Sequence, residues 1–157
     1  MFKRVMWATD GLEAADAALP YAKTLVPPDG ELIAVHCKER YFGGRGAGCP
    51  VRADEDELQA KIEGQLAKAR EEGMTVQLAV TACSGVSPAH SIARAAADLH
   101  ADVLVVGTHG HGAITGLLAG NMTRRLLHIA PCPVFAVGPG AKPVAPVSRE
   151  PVVRKAA

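Results

Sequence analysis

The residues most able to do chemistry lie in one glycine-rich segment that runs from residue 107 to residue 121. Without a Cβ, the chain can turn sharply at Gly107 and can approach a ligand closely at Gly110. Gly120 and Asn121 open a predicted helix, and the first N–H groups of a helix have no acceptor within the helix. Those donors and the positive end of the helix dipole suit phosphate oxygens. The segment therefore predicts a phosphate-binding loop.

Within this segment, the N–H groups of Asn121, Met122 and Thr123 are the best placed for phosphate, and His109 offers a further donor. Two plainer interpretations stay open. The glycines can serve a strand-to-helix connection that binds no ligand. His109 and His111 are two residues apart and can form a metal pair, although a solvated loop explains them without a metal.

Five short, mostly apolar runs predict strands, and helical patterns separate them. Strands that alternate with helices indicate an α/β fold with helices on both faces of a parallel sheet. We therefore predict one doubly wound domain. The predicted strands are Phe2–Ala8, Glu31–Cys37, Thr75–Thr81, Asp102–Val106 and Pro133–Val137, and the predicted helices span residues 12–25, 54–73, the stretch after Ser87, and Met122–Ala130.

In a doubly wound sheet the ligand binds outside the carboxyl ends of the strands, where the strand order reverses. If the first strand is central, this switch point lies between strands 1 and 4. Those strands end at Thr9-Asp10 and at Gly107-Thr108. The segment that carries the glycines thus follows one of the two strands at the predicted site.

Single residues carry further expectations. Pro20 should kink or interrupt the first helix, and Asp10 should cap that helix as well as contact a ligand. Ser87 is the expected N-cap of the third helix, with a proline at its first position. His36 and Trp7 fit buried core positions on strands better than ligand contacts.

Composition and length exclude several classes of protein. A chain of 157 residues fits one domain, and its net charge of +1 with 4% aromatic residues argues against nucleic-acid binding. No apolar run approaches the roughly 18–20 residues of a membrane helix, and the N-terminus does not resemble a signal peptide. We therefore expect a cytoplasmic protein whose four cysteines are reduced thiols.

The chain as a whole resembles the universal stress protein family, specifically its ATP-binding branch. The pattern Gly-x-x-Gly, nine residues, then Gly-Asn is similar to the nucleotide motif of that family. The resemblance covers residues 2–137, nearly the whole predicted domain. Its other signatures are Val5–Gly11 in strand 1, Ala34–Cys37 in strand 2, Ala101–Gly107 in strand 4 and Ala130–Val134 before and in strand 5.

The resemblance implies a fold similar to that of the adenine nucleotide alpha hydrolases, with strand order 3-2-1-4-5, in a homodimer. It gives a domain over residues 1–138 and a flexible tail over 139–157. It also implies bound ATP, or AMP or ADP, with Mg²⁺ or Mn²⁺ on the phosphates and near Asp10. The implied nucleotide-binding residues are Ala8, Thr9 and Asp10 after strand 1; the strand-2 backbone at His36 and Cys37; Gly107, Thr108, His109 and Gly110; and Gly120, Asn121, Met122 and Thr123.

One residue departs from the family pattern, because many ATP-binding members have Ser or Thr where this chain has Asn121. Thr123 is a candidate to supply the missing hydroxyl. The glycine-rich loop Arg40–Pro50 can fold over the nucleotide or stay apart from it.

The predicted function is a nucleotide-binding regulatory protein of the stress response that acts through its own dimer or an unknown signalling partner. A nucleotide-free dimeric scaffold and a slow ATP hydrolase stay open as alternatives. An adenylyl transferase is disfavoured because its His-x-Gly-His motif follows strand 1, whereas His109 and His111 follow strand 4. No residue is placed as a catalytic base, so we expect at most slow hydrolysis.

Overall fold

The computed structural model describes residues 2–39, 55–83, 86–108 and 121–142. Strands and helices alternate along the described residues, and four helices follow the first four of five strands. Both ends of each predicted strand lie within two residues of the ends of an observed strand. In chain order the elements are β1 (Arg4–Thr9), α1 (Glu13–Leu25), β2 (Glu31–Glu39), α2 (Glu55–Glu71), β3 (Thr75–Cys83), α3 (Pro88–Asp98), β4 (Val103–Gly107), α4 (Asn121–Ile129) and β5 (Val134–Val137).

The five strands form one parallel sheet in the order β3-β2-β1-β4-β5, which confirms the predicted fold and topology. The central strand β1 pairs with β2 on one side and with β4 on the other. At its carboxyl end Thr9 is in register with His36 of β2. The switch point therefore lies between β1 and β4, as the sequence predicts.

Side chains that alternate along β1 fill two cores, one on each face of the sheet. Val5 and Trp7 belong to the core under α1 and α2, whereas Met6 and Ala8 belong to the core under α3 and α4. Trp7 is fully buried, and its indole Nε1 donates to the carbonyl of Ala15 in α1 at 2.8 Å. The expectation that Trp7 is a core residue is confirmed.

Two local expectations for α1 are corrected by the structure. Pro20 does not interrupt the helix, which continues from Glu13 to Leu25. The helix buries alanine side chains against the sheet on both sides of Pro20, and this packing outweighs the one backbone donor that proline lacks. The N-cap is Leu12, not Asp10, because a turn with positive φ at Gly11 separates Asp10 from the helix.

The expected N-cap of α3 is in place at Ser87, with Pro88 following it, but the Ser87 hydroxyl makes no capping hydrogen bond. Its Oγ lies 2.8 Å from Nδ1 of His90 instead. The expectation of four reduced thiols is wrong for Cys37, which takes part in a disulfide, whereas Cys132 is a free thiol. None of the described helices is long and apolar enough to cross a membrane.

Candidate functional site

The turn that follows β1 is shaped by hydrogen bonds from its own side chains. The Thr9 hydroxyl accepts from the Gly11 N–H at 3.1 Å, and Oδ1 of Asp10 accepts from the Leu12 N–H at 3.0 Å. Gly11 has a φ of +74°, a conformation that side-chain-bearing residues rarely adopt. Asp10 is half-buried in this turn. Its carboxylate is therefore oriented at the carboxyl edge of the sheet.

Helix α2 packs on the same turn from outside. A Cβ at residue 11 would lie 2.4 Å from Cδ2 of Leu58, so a larger residue there would require the Leu58 side chain to move. Nζ of Lys61 donates to the Gly11 carbonyl at 2.6 Å and to Oδ2 of Asp16 at 2.5 Å. One face of α2 thus holds the turn that presents Asp10. Nothing in the sequence pattern had marked Lys61, because a single lysine on a predicted amphipathic helix normally faces solvent.

The side chain of His36 is buried between two oxygen atoms. Its Nδ1 lies 2.9 Å from the Thr9 carbonyl, and its Nε2 lies 2.7 Å from Oε1 of Glu55, the first residue of α2. His36 is 2% exposed, which confirms the interpretation of a hydrogen-bonded core histidine. Lys38 stands near the same carboxylate, with Nζ 3.7 Å from Oε1 of Glu55.

The carboxyl end of β4 is closely packed by protein atoms. The Thr108 N–H donates to the Val137 carbonyl at 2.9 Å, and the Thr108 side chain is buried. The Thr123 hydroxyl donates to the Gly107 carbonyl at 3.0 Å, with Thr123 only 2% exposed. This bond anchors the first turn of α4 to the end of β4. The Thr123 hydroxyl is thereby engaged by the protein, and its part in nucleotide binding stays a prediction.

Helix α4 begins at Asn121, one residue before the predicted start, so its first N–H groups lie where the phosphate site is predicted. Met122 is half-buried and packs against the core under α3 and α4. The predicted residues His109, Gly110 and Gly120, together with His111 and the loop Arg40–Pro50, lie outside the described residues.

The described parts of the site meet at one edge of the sheet, because β1 and β4 are adjacent and parallel. This edge carries Thr9 and Asp10 from β1 and its turn, Gly107 and Thr108 from β4, and the start of α4. In the described part of the chain, no group of three or more His, Cys, Asp or Glu side chains could hold a metal ion. The geometry therefore offers an oriented carboxylate and helix amides, which suit a ligand with hydroxyl and phosphate groups.

A separate groove of about 700 Å³ runs between β3 and α3. It lies at the opposite edge strand and includes none of the predicted site residues. Ala79, Val80, Val86 and Leu99 give it apolar walls, and Arg94 and Asp98 stand at its side. The polar groups expected for nucleotide binding converge at β1 and β4 instead.

Comparison with known proteins identifies the family. The family model described as the universal stress protein family matches residues 1–138. A universal stress protein from Thermus aquaticus, encoded in the 3′ region of the QAH/OAS sulfhydrylase gene, is 32% identical over 151 residues, which cover 87% of this chain and 99% of that protein.

Two solved structures share the fold. A universal stress protein in complex with cAMP has a TM-score of 0.61 at 22% identity and covers 87% of this chain and 96% of its own. A universal stress protein family protein from Arabidopsis thaliana with AMP bound has a TM-score of 0.57 at 19% identity and covers 88% of this chain and 92% of its own. The chain therefore belongs to the universal stress protein family.

Proposed function

We propose that this chain binds an adenine nucleotide, ATP foremost, between the carboxyl ends of β1 and β4 and acts as a regulatory protein of the stress response. The observation that carries the proposal is the position of Asp10. Its half-buried carboxylate is oriented by the Leu12 N–H at the strand-order switch, beside the start of α4. The carboxyl ends of these strands bring a carboxylate and helix amides together, which suits a ligand with a ribose and phosphates.

Adenine is the base that the comparisons favour, since relatives of the same fold were solved with cAMP and with AMP. ATP is the finer part of the proposal, and it rests on the Gly-x-x-Gly spacing that ends at Gly120-Asn121. Mg²⁺ or Mn²⁺ would bind mainly through the phosphates, with the Asp10 carboxylate as a further oxygen donor. The strand-2 backbone at His36 and Cys37 would border the adenine.

We expect binding and release to matter more than turnover. Residues 107–121 contain no lysine, so a lysine of the kind that draws charge from the transferred phosphate in P-loop enzymes is missing from this segment. Any hydrolysis should be slow. The protein would then signal through the difference between its nucleotide-bound and nucleotide-free forms.

The proposed assembly is a homodimer through β5, in the cytoplasm. The strand is four residues long and lies at the edge of the sheet. Phe135 is 41% exposed there, and Leu127 and Ile129 of the preceding helix add exposed apolar surface. An apolar edge strand of this kind is suited to pairing with a second copy.

The test begins with the nucleotide that the purified protein carries. Chromatography of the small molecules released on denaturation should yield an adenine nucleotide, and calorimetry of the emptied protein should show binding of ATP with Mg²⁺. Asp10→Asn keeps an oxygen for the Leu12 N–H but removes the charge, so it should weaken ATP binding about tenfold. Asp29→Asn changes an exposed carboxylate just before β2, at the amino ends of the strands and away from the proposed site. It should leave the ATP affinity unchanged. Absence of ATP binding by the unmodified chain would refute the proposal.

A further inference from the structure

We propose that His36 and Glu55 form a positioning pair that fixes the Thr9 carbonyl and, through it, the Asp10 turn that receives the nucleotide. The proposal rests on the proposed function and assigns His36 a role different from ligand contact. Its basis is the bridge that the His36 ring makes from Thr9 at the end of β1 to Glu55 at the start of α2.

The two oxygen atoms around the ring determine where its protons lie. A backbone carbonyl can only accept, so Nδ1 of His36 must carry a proton to bond to Thr9. The other ring nitrogen, Nε2, makes its hydrogen bond with the Glu55 carboxyl group. The His36 side chain, only 3% exposed, is thus hydrogen-bonded at both ring nitrogens. Turning the ring over would direct carbon atoms at both oxygens, so one orientation is strongly favoured.

Both polar atoms of the ring are thereby taken by the protein. The ring has no nitrogen left with which to bind a ligand, even though the His36 backbone borders the proposed adenine position. Its effect on the ligand must pass through the atoms that it holds. The closest of these to the predicted site is the Thr9 carbonyl.

The Thr9 carbonyl and the Asp10 N–H belong to one planar peptide unit. A bond that fixes this carbonyl therefore fixes the plane from which the Asp10 side chain projects. The Lys61 ammonium fixes a second peptide plane, that of Gly11 and Leu12, because it donates to the Gly11 carbonyl at 2.6 Å. Two residues of α2, Glu55 through His36 and Lys61 directly, thus hold the peptide plane before Asp10 and the plane after Gly11.

Two substitutions at residue 36 separate the two ends of this bridge. In His36→Asn the amide nitrogen can take the place of Nδ1 and donate to Thr9. In His36→Gln the amide nitrogen reaches the place of Nε2, which faces Glu55, and the Thr9 carbonyl loses its donor. We expect calorimetry to show ATP affinity within about twofold of the unmodified chain for His36→Asn and about tenfold lower for His36→Gln. Thermal unfolding of both variants checks that each is folded at the temperature of the titration.

Glu55→Gln supplies a third variant that keeps the bridge while removing its charge, since a neutral ring can accept from the glutamine amide. It should bind ATP about as well as the unmodified chain. ¹⁵N NMR of the histidine rings gives a readout that does not depend on ATP. In the unmodified protein and in Glu55→Gln alike, Nδ1 of His36 should carry a proton, as its bond to the Thr9 carbonyl requires.

The outcomes separate this proposal from the function on which it rests. No ATP binding by the unmodified chain would refute the proposed function and this proposal with it. Normal binding by the unmodified chain, with equal affinities for the Asn and Gln variants, would overturn the positioning role alone. A His36 ring without a proton on Nδ1 in the unmodified protein would overturn it as well.

Discussion

Gly107 lies against the main-chain carbonyl of Ala14, so close that a Cβ at residue 107 would stand 2.2 Å from that oxygen. The contact joins the end of β4 to the first turns of α1, where the two elements pack across one face of the sheet. A glycine that the sequence pattern assigns to a nucleotide loop is therefore required by helix packing as well. Any ligand role of Gly107 adds to this structural one.

Gly107→Ala should destabilise the protein strongly, because the atoms in the way are backbone atoms that cannot turn aside. We expect a loss of about 3 kcal/mol or more in the free energy of unfolding, measured by chemical denaturation. Gly64→Ala is the matched control, since a Cβ there meets nothing within 4 Å on helix α2. It should stabilise the protein by about 0.5–1 kcal/mol. Equal stability of both variants would show that β4 and α1 are not packed this closely.

Much of the fold could be predicted from the sequence because its signals are local. The apolar run of β4 and the alternation of strands with helices indicate a parallel sheet by themselves. The two faces of β1 could not be assigned in advance, since nearly every residue of that strand is apolar. The predicted break at Pro20 did not occur because a local signal was outweighed by tertiary packing. Proline removes one helix donor, but the packing of α1 against the sheet keeps the helix continuous.

The place of the candidate site can be predicted from the sequence, and its construction only in part. The carboxyl ends of β1 and β4 follow from the strand order alone. Glu55 and Lys61 could not be found this way, because their roles depend on where α2 crosses the turn after β1. The turn also explains why Asp10 is not the N-cap of α1. Gly11 has a positive φ and lies between Asp10 and the helix, so the N-cap position falls on Leu12.

His100 offers a stabilising substitution at the end of α3. It has a φ of +50°, and the N–H groups of His100 and Ala101 bond back to the carbonyls of Ala97 and Ala96. Glycine is the usual residue at this position of such a helix end. His100→Gly should therefore raise the unfolding free energy by about 1 kcal/mol, and the melting temperature by about 2–4 °C. His100→Ala keeps the strained φ, and a similar gain from alanine would contradict the explanation.

Cys132 should react slowly with alkylating reagents at neutral pH. Burial raises the pKa of its thiol, and the negative charge of Asp102 adds to that effect. Because the thiolate is the reactive form, alkylation should accelerate only above the ordinary thiol pKa of about 8.5. The raised pKa also means that the stability this thiol contributes is present below that pH and is lost as the pH rises further.

The measurement is the rate of iodoacetamide labelling at Cys132, followed by peptide mass spectrometry across a range of pH. Asp102→Asn keeps an oxygen for the Lys3 and Arg4 N–H groups and removes the charge, so its labelling should accelerate at a lower pH. A labelling rate that already reaches its maximum near neutral pH would contradict the raised pKa.

The proposed dimer can be tested at the edge of β5 without disturbing the core. Val137 is 5% exposed and belongs to the core of its own subunit, so a charge there would unfold the chain and report nothing about the dimer. Phe135 is exposed and contacts only Tyr21 among the described aromatic rings. Phe135→Lys places an ammonium at the proposed subunit boundary, where pairing would bury it. We expect sedimentation to show a dimer for the unmodified chain and a monomer for this variant.

Val80→Lys is the matched control, because Val80 is 44% exposed on β3, the edge strand at the other side of the sheet. A dimer that survives Phe135→Lys and dissociates with Val80→Lys would place the interface on β3 instead.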